Sequence, residues 1–321
     1  TSADFTTVYW SSSTPLASAT TNFTENTYFW RARGEDRAGN YSAYSATRSF
    51  VVDLTSPSAP ASLTSPADDT RTSVQSQTFV WAGVSDLGPS GLSNYELQLS
   101  TDINFGIVNY SSAPTVPQSL NLLISQSLYY WRVRSKDFAG NYSGYTSTWT
   151  IVIDTTLPSA IMNQAGDTNW RSSSGTVYDV DFKDDPSAGG SGLDYGQYIV
   201  YPGTTTTGQS SGAALTPWRT IFDYTLANSL TYFADNWSLT SSDFSSLKQG
   251  YNFVFARAFD LAGVSTQPAN YLFYILKDTA APSFINNEPA VPDWENYSRA
   301  HNFDFSDSGS GVKIASYTAW T

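Results

Sequence analysis

The sequence predicts an all-β protein built as tandem antiparallel β-sandwiches. Three observations lead to this prediction: polar and apolar residues alternate with a period of two, turn-forming residues recur between short apolar runs, and no helical stripe interrupts the pattern. The composition agrees, because Ser, Thr, Asn and Gly are abundant and Asp is about four times as common as Glu. Such a chain favours strands and turns over helices.

One stretch, residues 129–145, shows the strand pattern most clearly. It reads YYWRVRSKDFAGNYSGY, in which Tyr129 and Trp131 alternate with Arg132 and Arg134. Because successive side chains of a strand point to opposite faces, we expect the two aromatic residues in a core and both arginines in solvent. The following DFAGN predicts a hairpin turn, since Asp bonds its own downstream backbone and Gly tolerates a positive φ.

Nearly the same stretch, YFWRARGEDRAGNYSAY, occupies residues 28–44, so the chain contains an internal repeat. Two further landmarks recur in the same order: a Ser-Gly turn preceded by Asp, and a linker rich in Pro and Ser. The next copy is longer, about 120 residues, and has Asn252 and Val254 where the others have Tyr and Trp. Three pairs of corresponding landmark residues are each 101 positions apart: Asp36 and Asp137, Asp53 and Asp154, and Gly91 and Gly192.

These landmarks divide the chain into four segments. Residues 55–155 and 156–279 are each expected to form a complete sandwich, the second of a longer subtype. Residues 1–54 correspond to the C-terminal half of the shorter type, and residues 280–321 to the N-terminal half of the longer type. Two interpretations stay open: the sequence is a fragment of a longer repeat protein, or it is a filament subunit that polymerises head-to-tail by sharing split domains.

Charge and composition argue against several classes of function. The net charge of −12 leaves no basic stripe for a nucleic acid, and no run approaches the length of a membrane span. There is no cysteine, so disulfides and thiolate metal sites are excluded. The single histidine, His301, has no partner set for zinc, and no serine has a base placed for nucleophilic catalysis. We expect no enzyme activity in these residues.

Aspartates at the module junctions are the candidate metal ligands. If linker and loop carboxylates of neighbouring modules converge, they offer the oxygen ligands that Ca²⁺ prefers, and a cation would stiffen the joint. The alternative is that each Asp only caps its own turn. The best single candidate, on its density of oxygens alone, is DVDFKDD, residues 179–185. The candidates are Asp53, Asp154 and Asp278 in the linkers, Asp36, Asp137 and Asp260 in the hairpin turns, and Asp86, Asp184, Asp185 and Asp307 in the earlier turn.

The strings YYWRVR, DFAGN and VIDTTLPS together resemble bacterial fibronectin type III-like and immunoglobulin-like repeats. Residues 55–155 are similar to the first kind and residues 156–279 to the second. The resemblance implies a structural or adhesive role, as a stalk, spacer or fibre, in an extracellular or surface protein. The partners it implies are neighbouring repeats of the same protein, other copies of the chain, or a glycan or cell-surface ligand.

A carbohydrate-binding accessory region of a secreted enzyme is the alternative function. Two pairs of tyrosines follow the hairpin turns, Tyr41 with Tyr44 and Tyr142 with Tyr145. Exposed rings would stack on sugar rings, whereas buried rings would only pack the last strand. The sequence leaves this choice open.

Overall fold

The computed structural model of the chain describes residues 4–15, 18, 20–163, 167–184, 189–204, 212–266, 268, 270–288 and 300–318. Asp185, one of the predicted ligands, lies outside them. The chain divides into two compact units, Thr1–Asp154 and Thr155–Thr321. Within the described ranges the regular structure is strands and one helix of six residues, which confirms the all-β class. No helix in these ranges is long and apolar enough to cross a membrane.

The first unit contains a two-stranded sheet followed by a complete sandwich. The small sheet pairs β1 (Asn26–Trp30) antiparallel with β2 (Arg48–Val52). The sandwich strands are β3 (Leu63–Ser65), β4 (Thr70–Thr72), β5 (Ser76–Trp81), β6 (Leu92–Ser100), β7 (Tyr110–Ser112), β8 (Gln118–Leu123), β9 (Ser127–Asp137) and β10 (Trp149–Ile153). They form a three-stranded sheet, β3-β5-β8, and a five-stranded sheet, β4-β10-β9-β6-β7.

Strand β9 is the centre of this sandwich. Its burial alternates residue by residue, as the period-two pattern predicts, and Tyr129 and Trp131 lie in the core. Phe79 of β5 packs edge-on against Trp131, with 4.9 Å between the ring centroids. Because an aromatic side chain buries about 150–250 Å², this pair supplies much of the apolar contact across the two sheets.

The indole of Trp30, expected in a core like that of Trp131, is largely uncovered. Trp30 is 44% exposed and Trp131 is 0% exposed. The reason is that Phe79 covers Trp131 from the opposite sheet, while no described strand takes that place over β1. Tyr28 is buried as expected, against Phe23 and Phe50.

In three modules, a polar side chain near the start of the penultimate strand forms a hydrogen bond with the residue four positions upstream. The hydroxyl of Tyr28 donates to the carbonyl oxygen of Thr24 at 3.0 Å, and that of Tyr129 lies 2.9 Å from Oγ of Ser125. In the longer copy the fully buried Asn252 donates from Nδ2 to the carbonyl four residues upstream at 2.8 Å. The Asn therefore keeps this hydrogen bond with a shorter side chain.

The second unit contains the longer sandwich and a two-stranded sheet. The strands are β11 (Ser159–Met162), β12 (Trp170–Arg171), β13 (Val177–Tyr178), β14 (Val180–Lys183), β15 (Leu193–Pro202), β16 (Arg219–Asp223), β17 (Tyr232–Phe233), β18 (Trp237–Ser238), β19 (Gly250–Asp260), β20 (Phe273–Lys277), β21 (Ser283–Asn286) and β22 (Phe303–Ser306). They form sheets with the orders β11-β14-β17, β12-β20-β19-β15-β16, β13-β18 and β21-β22.

The helix α1 (Ser241–Ser246) lies in the longer middle part of this sandwich. Thr240 is its N-cap and accepts the N–H of Asp243. At the other end Nζ of Lys277 donates to three carbonyl oxygens, those of Phe244, Ser245 and Leu247, each at 3.0 Å. A buried cation thus donates to carbonyls at the C-terminal end of the helix, where the carbonyl of Phe244 also accepts the N–H of Leu247 at 3.1 Å.

Candidate functional site

The linker carboxylate of Asp53 is clamped onto the sandwich that follows it. Asp53 is buried; its Oδ1 accepts the N–H of Thr55 at 3.0 Å and its Oδ2 accepts the N–H of Ser90 at 2.9 Å. Ser90 belongs to the Ser-Gly turn of the sandwich. A Cβ at Gly88 would lie 2.5 Å from both carboxylate oxygens, so the turn needs glycine there. We call this contact the linker clamp.

The same linker clamp recurs at the other end of the chain. Oδ1 of Asp278 accepts the N–H of Ala280 at 3.0 Å, and its Oδ2 accepts the N–H of Ser310 at 2.7 Å. A Cβ at Gly309 would again lie 2.5 Å from the carboxylate. One geometry therefore joins a module to the next at both of these places.

The two clamping carboxylates are held as anions. Hydrogen bonds from Ser90 lower the pKa of Asp53 below its usual value, and those from Ser310 do the same for the pKa of Asp278. Both side chains therefore carry a full negative charge at neutral pH.

Asp53, Asp86 and Asp137 form a cluster at the first joint. One carboxylate oxygen from each lies within 4.8 Å of the others. Asp137 is 1% exposed, and its Oδ1 accepts the N–H groups of the turn that follows it. Oδ2 of Asp86 is buried and has no hydrogen-bond partner. Among the described residues no basic side chain forms an ion pair with any of the three.

Asn141 links this cluster to the linker backbone. Its Nδ2 donates to Oδ2 of Asp137 at 2.7 Å and to the carbonyl oxygen of Asp53 at 3.1 Å. Asn141 belongs to the hairpin turn, and Gly140 beside it has φ of 99°, as the DFAGN string predicts. The hairpin of the sandwich therefore contacts the linker that enters it.

Two of the remaining predicted ligands come together in the second unit. Asp184 and Asp260 are buried, and their carboxylate oxygens lie within 4.8 Å of each other. Asp184 accepts the N–H of Gly192 at 2.6 Å, and Asp260 accepts the N–H of Val264 at 2.8 Å. They repeat the arrangement of Asp86 and Asp137.

The other predicted ligands have the following surroundings within their own units. Asp154 ends β10 in the first unit, fully buried, and its N–H donates to the carbonyl of Thr72 at 3.0 Å. Asp36 is exposed and caps its own hairpin through the N–H groups of Ala38 and Asn40. Oδ2 of Asp307 accepts the N–H of Gly311 in its own turn.

The structure divides the acidic run DVDFKDD between two places. Asp184 joins Asp260, whereas the buried Asp181 faces the other way along β14. There Asp181 accepts hydrogen bonds from Nδ2 of Asn163, at 2.6 Å, and from the hydroxyl of Tyr232. The high density of oxygens in the sequence therefore does not mark one site.

The arginines of β9 are not in free solvent, which corrects the sequence expectation. Cζ of Arg132 lies 3.7 Å from the ring centroid of Tyr145, and Cζ of Arg134 lies 3.9 Å from that of Tyr142 and 4.6 Å from that of Tyr145. Nε of Arg134 also donates to Glu96 at 2.6 Å. Arg132 and Arg134 are half-buried because aromatic rings and a carboxylate cover them.

The tyrosines that follow the hairpin turn lie at the surface and are not part of the core, since Tyr142 is 40% exposed and Tyr145 is half-buried. Tyr145 contacts both arginines of β9, and Tyr142 contacts Arg134 and, at 5.0 Å, Lys136. The small sheet repeats the stack, since Arg31 and Arg33 lie over the rings of Tyr44 and Tyr41.

No protein-family profile matches the chain. Endoglucanase B of Cellulomonas fimi is 33% identical over 136 residues, which cover 41% of this chain and 12% of that protein. The chain thus spans about an eighth of the length of this relative.

The chain is also similar to two solved structures, at low overall similarity. One is described as a tetra-tandem repeat in the extending region of a large adhesion protein, with 18% identity, a TM-score of 0.31, and coverage of 82% of this chain and 60% of that one. The other comprises the CbhA fibronectin(III)-like modules of Clostridium thermocellum, with 9% identity, a TM-score of 0.29, and coverage of 67% and 94%. The described strands of this chain form tandem β-sandwiches.

Proposed function

We propose that the chain is a non-enzymatic spacer region, a stalk or fibre segment of an extracellular bacterial protein. We divide it into modules at residues 1–54, 55–155, 156–279 and 280–321. The single observation that carries the proposal is the repeated linker clamp. A linker that only tethered independent domains would not need a buried carboxylate in the turn of the next module, and this chain has that contact at two joints.

The clamp makes the joints at Asp53 and Asp278 defined connections. Asp53 and Asp278 each spend both oxygens on backbone N–H groups, and each faces a glycine whose missing Cβ leaves room for it. Hydrogen bonds to a charged acceptor are stronger than neutral ones, typically about 1.5–3 kcal/mol. Holding consecutive modules in this way suits a protein that must keep distance between its two ends.

Small-angle X-ray scattering of the chain tests the spacer function. We expect a well-defined maximum dimension in the wild type, and a broader distance distribution when Asp53 and Asp278 are both replaced by Ala. Ser49→Ala, at an exposed strand position, is the matched control. A flexible wild type would contradict the proposal. A scattering mass that grows with concentration would favour head-to-tail assembly.

A cation at the first joint is the second part of the proposal. Three carboxylates within 4.8 Å, two of them buried and none ion-paired with a described basic residue, place concentrated negative charge where a hard cation would neutralise it. The buried Oδ2 of Asp86 offers a free acceptor. Asp53, Asp86 and Asp137 would hold Ca²⁺, with water and backbone oxygens completing its shell. By the sequence repeat, Asp154 corresponds to Asp53.

Titration calorimetry with Ca²⁺ on the chelator-treated chain tests the cation. We expect binding that is weakened at least tenfold by Asp86→Asn, while Asp36→Asn, which alters an exposed turn, leaves it unchanged. A chelator is also expected to lower the melting temperature of the first unit. Binding of equal strength in wild type and Asp86→Asn would show that the cluster is not the site.

The similarity to Endoglucanase B supports a second candidate, an accessory region of a secreted carbohydrate-active enzyme. Half-exposed tyrosines would supply the ring surface, although cations already contact them. Pull-down on insoluble cellulose tests this candidate. Retention that is lost with Tyr142→Ala and Tyr145→Ala together would support it, and the absence of retention at high protein concentration would remove it.

A further inference from the structure

The segment that follows the hairpin of the first sandwich is held to β9 in an unusual way. Residues 141–146 read NYSGYT and belong to no regular strand. Oγ of Ser143 accepts the N–H of Ser135 at 2.9 Å, and Oγ1 of Thr146 accepts the N–H of Val133 at 3.1 Å. Side-chain hydroxyls thus take the place that backbone carbonyls of a paired strand would fill.

The same two residues complete the pairing in the other direction. The N–H of Ser143 donates to the carbonyl of Ser135 at 3.0 Å, and the N–H of Thr146 donates to that of Val133 at 2.9 Å. Ser143 and Thr146 are three positions apart, and so are Tyr142 and Tyr145. One face of the segment then bonds β9 and the next face carries the rings.

The rings lie on the cations of β9. Phe105, Arg132, Tyr145, Arg134 and Tyr142 form one continuous column, in which each guanidinium carbon lies 3.7–4.6 Å from the ring centroids beside it. A cation over an aromatic face contributes about 0.5–2 kcal/mol, and more when water is excluded. We call residues 141–146 together with Arg132 and Arg134 the period-three clasp.

The clasp recurs in the small sheet, where residues 41–46 read YSAYSA. The N–H of Ala32 donates to Oγ of Ser45 at 3.0 Å, and the N–H of Gly34 donates to Oγ of Ser42 at 2.9 Å. Arg31 and Arg33 lie over the rings of Tyr44 and Tyr41. Two independent copies of the same hydroxyl and ring pattern show that it is a built feature of the repeat.

The clasp begins at the residue that touches the linker. Asn141 donates to Oδ2 of Asp137 and to the linker carbonyl of Asp53, and Tyr142 follows it directly. Anything that fixes Tyr142 on Arg134 therefore also fixes Asn141 against the linker. We propose that the period-three clasp is a positioning device that holds the hairpin turn in place for the joint; this inference rests on the proposed spacer function.

Hydrogen–deuterium exchange of the full chain tests the clasp, with Tyr145→Leu and Tyr145→Phe as a matched pair. Leu keeps apolar bulk but removes the ring, while Phe keeps the ring that contacts both arginines. We expect Tyr145→Leu to raise the exchange rates of the Ser143, Thr146 and Thr55 amides about tenfold, and Tyr145→Phe to leave them within twofold of wild type. The Leu97 amide in the core is the internal reference.

The outcomes separate the clasp from the spacer function. Equal loosening by Leu and Phe would overturn the role of the ring face. Faster exchange at Ser143 with an unchanged Thr55 amide would overturn the positioning role. A wild type that scatters as a flexible chain yet shows the predicted exchange pattern would defeat the spacer proposal alone.

Discussion

Single residues at the joints determine whether the linker clamp can form, and Gly88 is the clearest case. A methyl group there would lie 2.5 Å from both carboxylate oxygens of Asp53, so the short Asp side chain would have to leave Ser90. We expect Gly88→Ala to cost about 1–2 kcal/mol at the joint while the sandwich core stays folded. Exchange at the Ser90 amide measures this loss.

Gly83→Ala is the control for that substitution, because a Cβ at Gly83 would make only ordinary van der Waals contacts, the nearest at 3.7 Å from Pro117. The two variants share the same loss of backbone entropy in the unfolded state. If both leave the Ser90 amide equally protected, the close approach of Asp53 to Gly88 does not define the joint.

Asp243 is the residue that gives the second unit its expected acid sensitivity. Burial raises its pKa, but hydrogen bonds from Tyr198 and Arg219 outweigh burial and leave the pKa below its usual value. A lowered folded pKa means that the stabilisation is present above the unfolded value of about 3.9 and is lost as the pH falls through the folded value. We expect the melting temperature of the second unit to drop in that range.

The charge-neutral variant Asp243→Asn provides the comparison for the pH series. Its melting temperature should be lower than that of wild type at neutral pH and should depend less on pH below about 4. Parallel curves for the two proteins would show that another carboxylate controls the acid transition.

At the scale of elements, the helix α1 depends on a residue from a distant strand. Lys277 of β20 places its ammonium on three carbonyls at the end of the helix. Replacing it by Met would remove the ammonium donor from all three carbonyls, although that of Phe244 keeps the N–H of Leu247, and we expect a cost of about 1–3 kcal/mol. Lys248→Met, at an exposed position, should change the free energy of unfolding by less than about 0.5 kcal/mol.

Chemical denaturation of the two lysine variants checks this prediction. A shift of the second-unit transition in Lys277→Met alone is the expected result. Equal shifts in both variants would mean that the cap contributes nothing and that only net charge matters.

The strands could largely be predicted, because burial of one face produces an alternation of apolar and polar residues that is visible in the sequence. Strand β9 alternates as expected, and Asn252 occupies the place expected of Tyr129. The clasp was not predicted, although its signal is present: a period of three in YSAYSA and NYSGYT is visible once strands are not the only pattern sought. Alternation therefore predicted solvent for Arg132, which lies under Tyr145.

The candidate ligands show what sequence order does and does not determine. Spacing alone suggested that linker and turn aspartates would meet, and Asp53, Asp86 and Asp137 do meet. It also favoured residues 179–185, where alternation along β14 sends Asp181 away from Asp184. Convergence of side chains from three loops depends on the path of the backbone, so no local pattern distinguishes these two cases.

At the scale of the whole molecule, a short set of contacts recurs with the repeat. The linker clamp is formed by Asp53 and again by Asp278. The hydrogen bond at the start of the penultimate strand occurs three times, twice from a tyrosine hydroxyl and once from an asparagine amide. Recurrence at the joints means that the chain repeats its connections along with its cores. A protein whose modules acted independently would need only the cores.

The most direct test of this account measures the distance across the first joint. Because the chain has no cysteine, spin labels at Ser49→Cys and Leu120→Cys, both exposed, would be the only ones attached. Double electron–electron resonance should give one narrow distance distribution, and Asp53→Ala should broaden it severalfold. A broad distribution in the wild-type joint, or one that Asp53→Ala leaves unchanged, would contradict the claim that the linker clamp makes the chain a spacer.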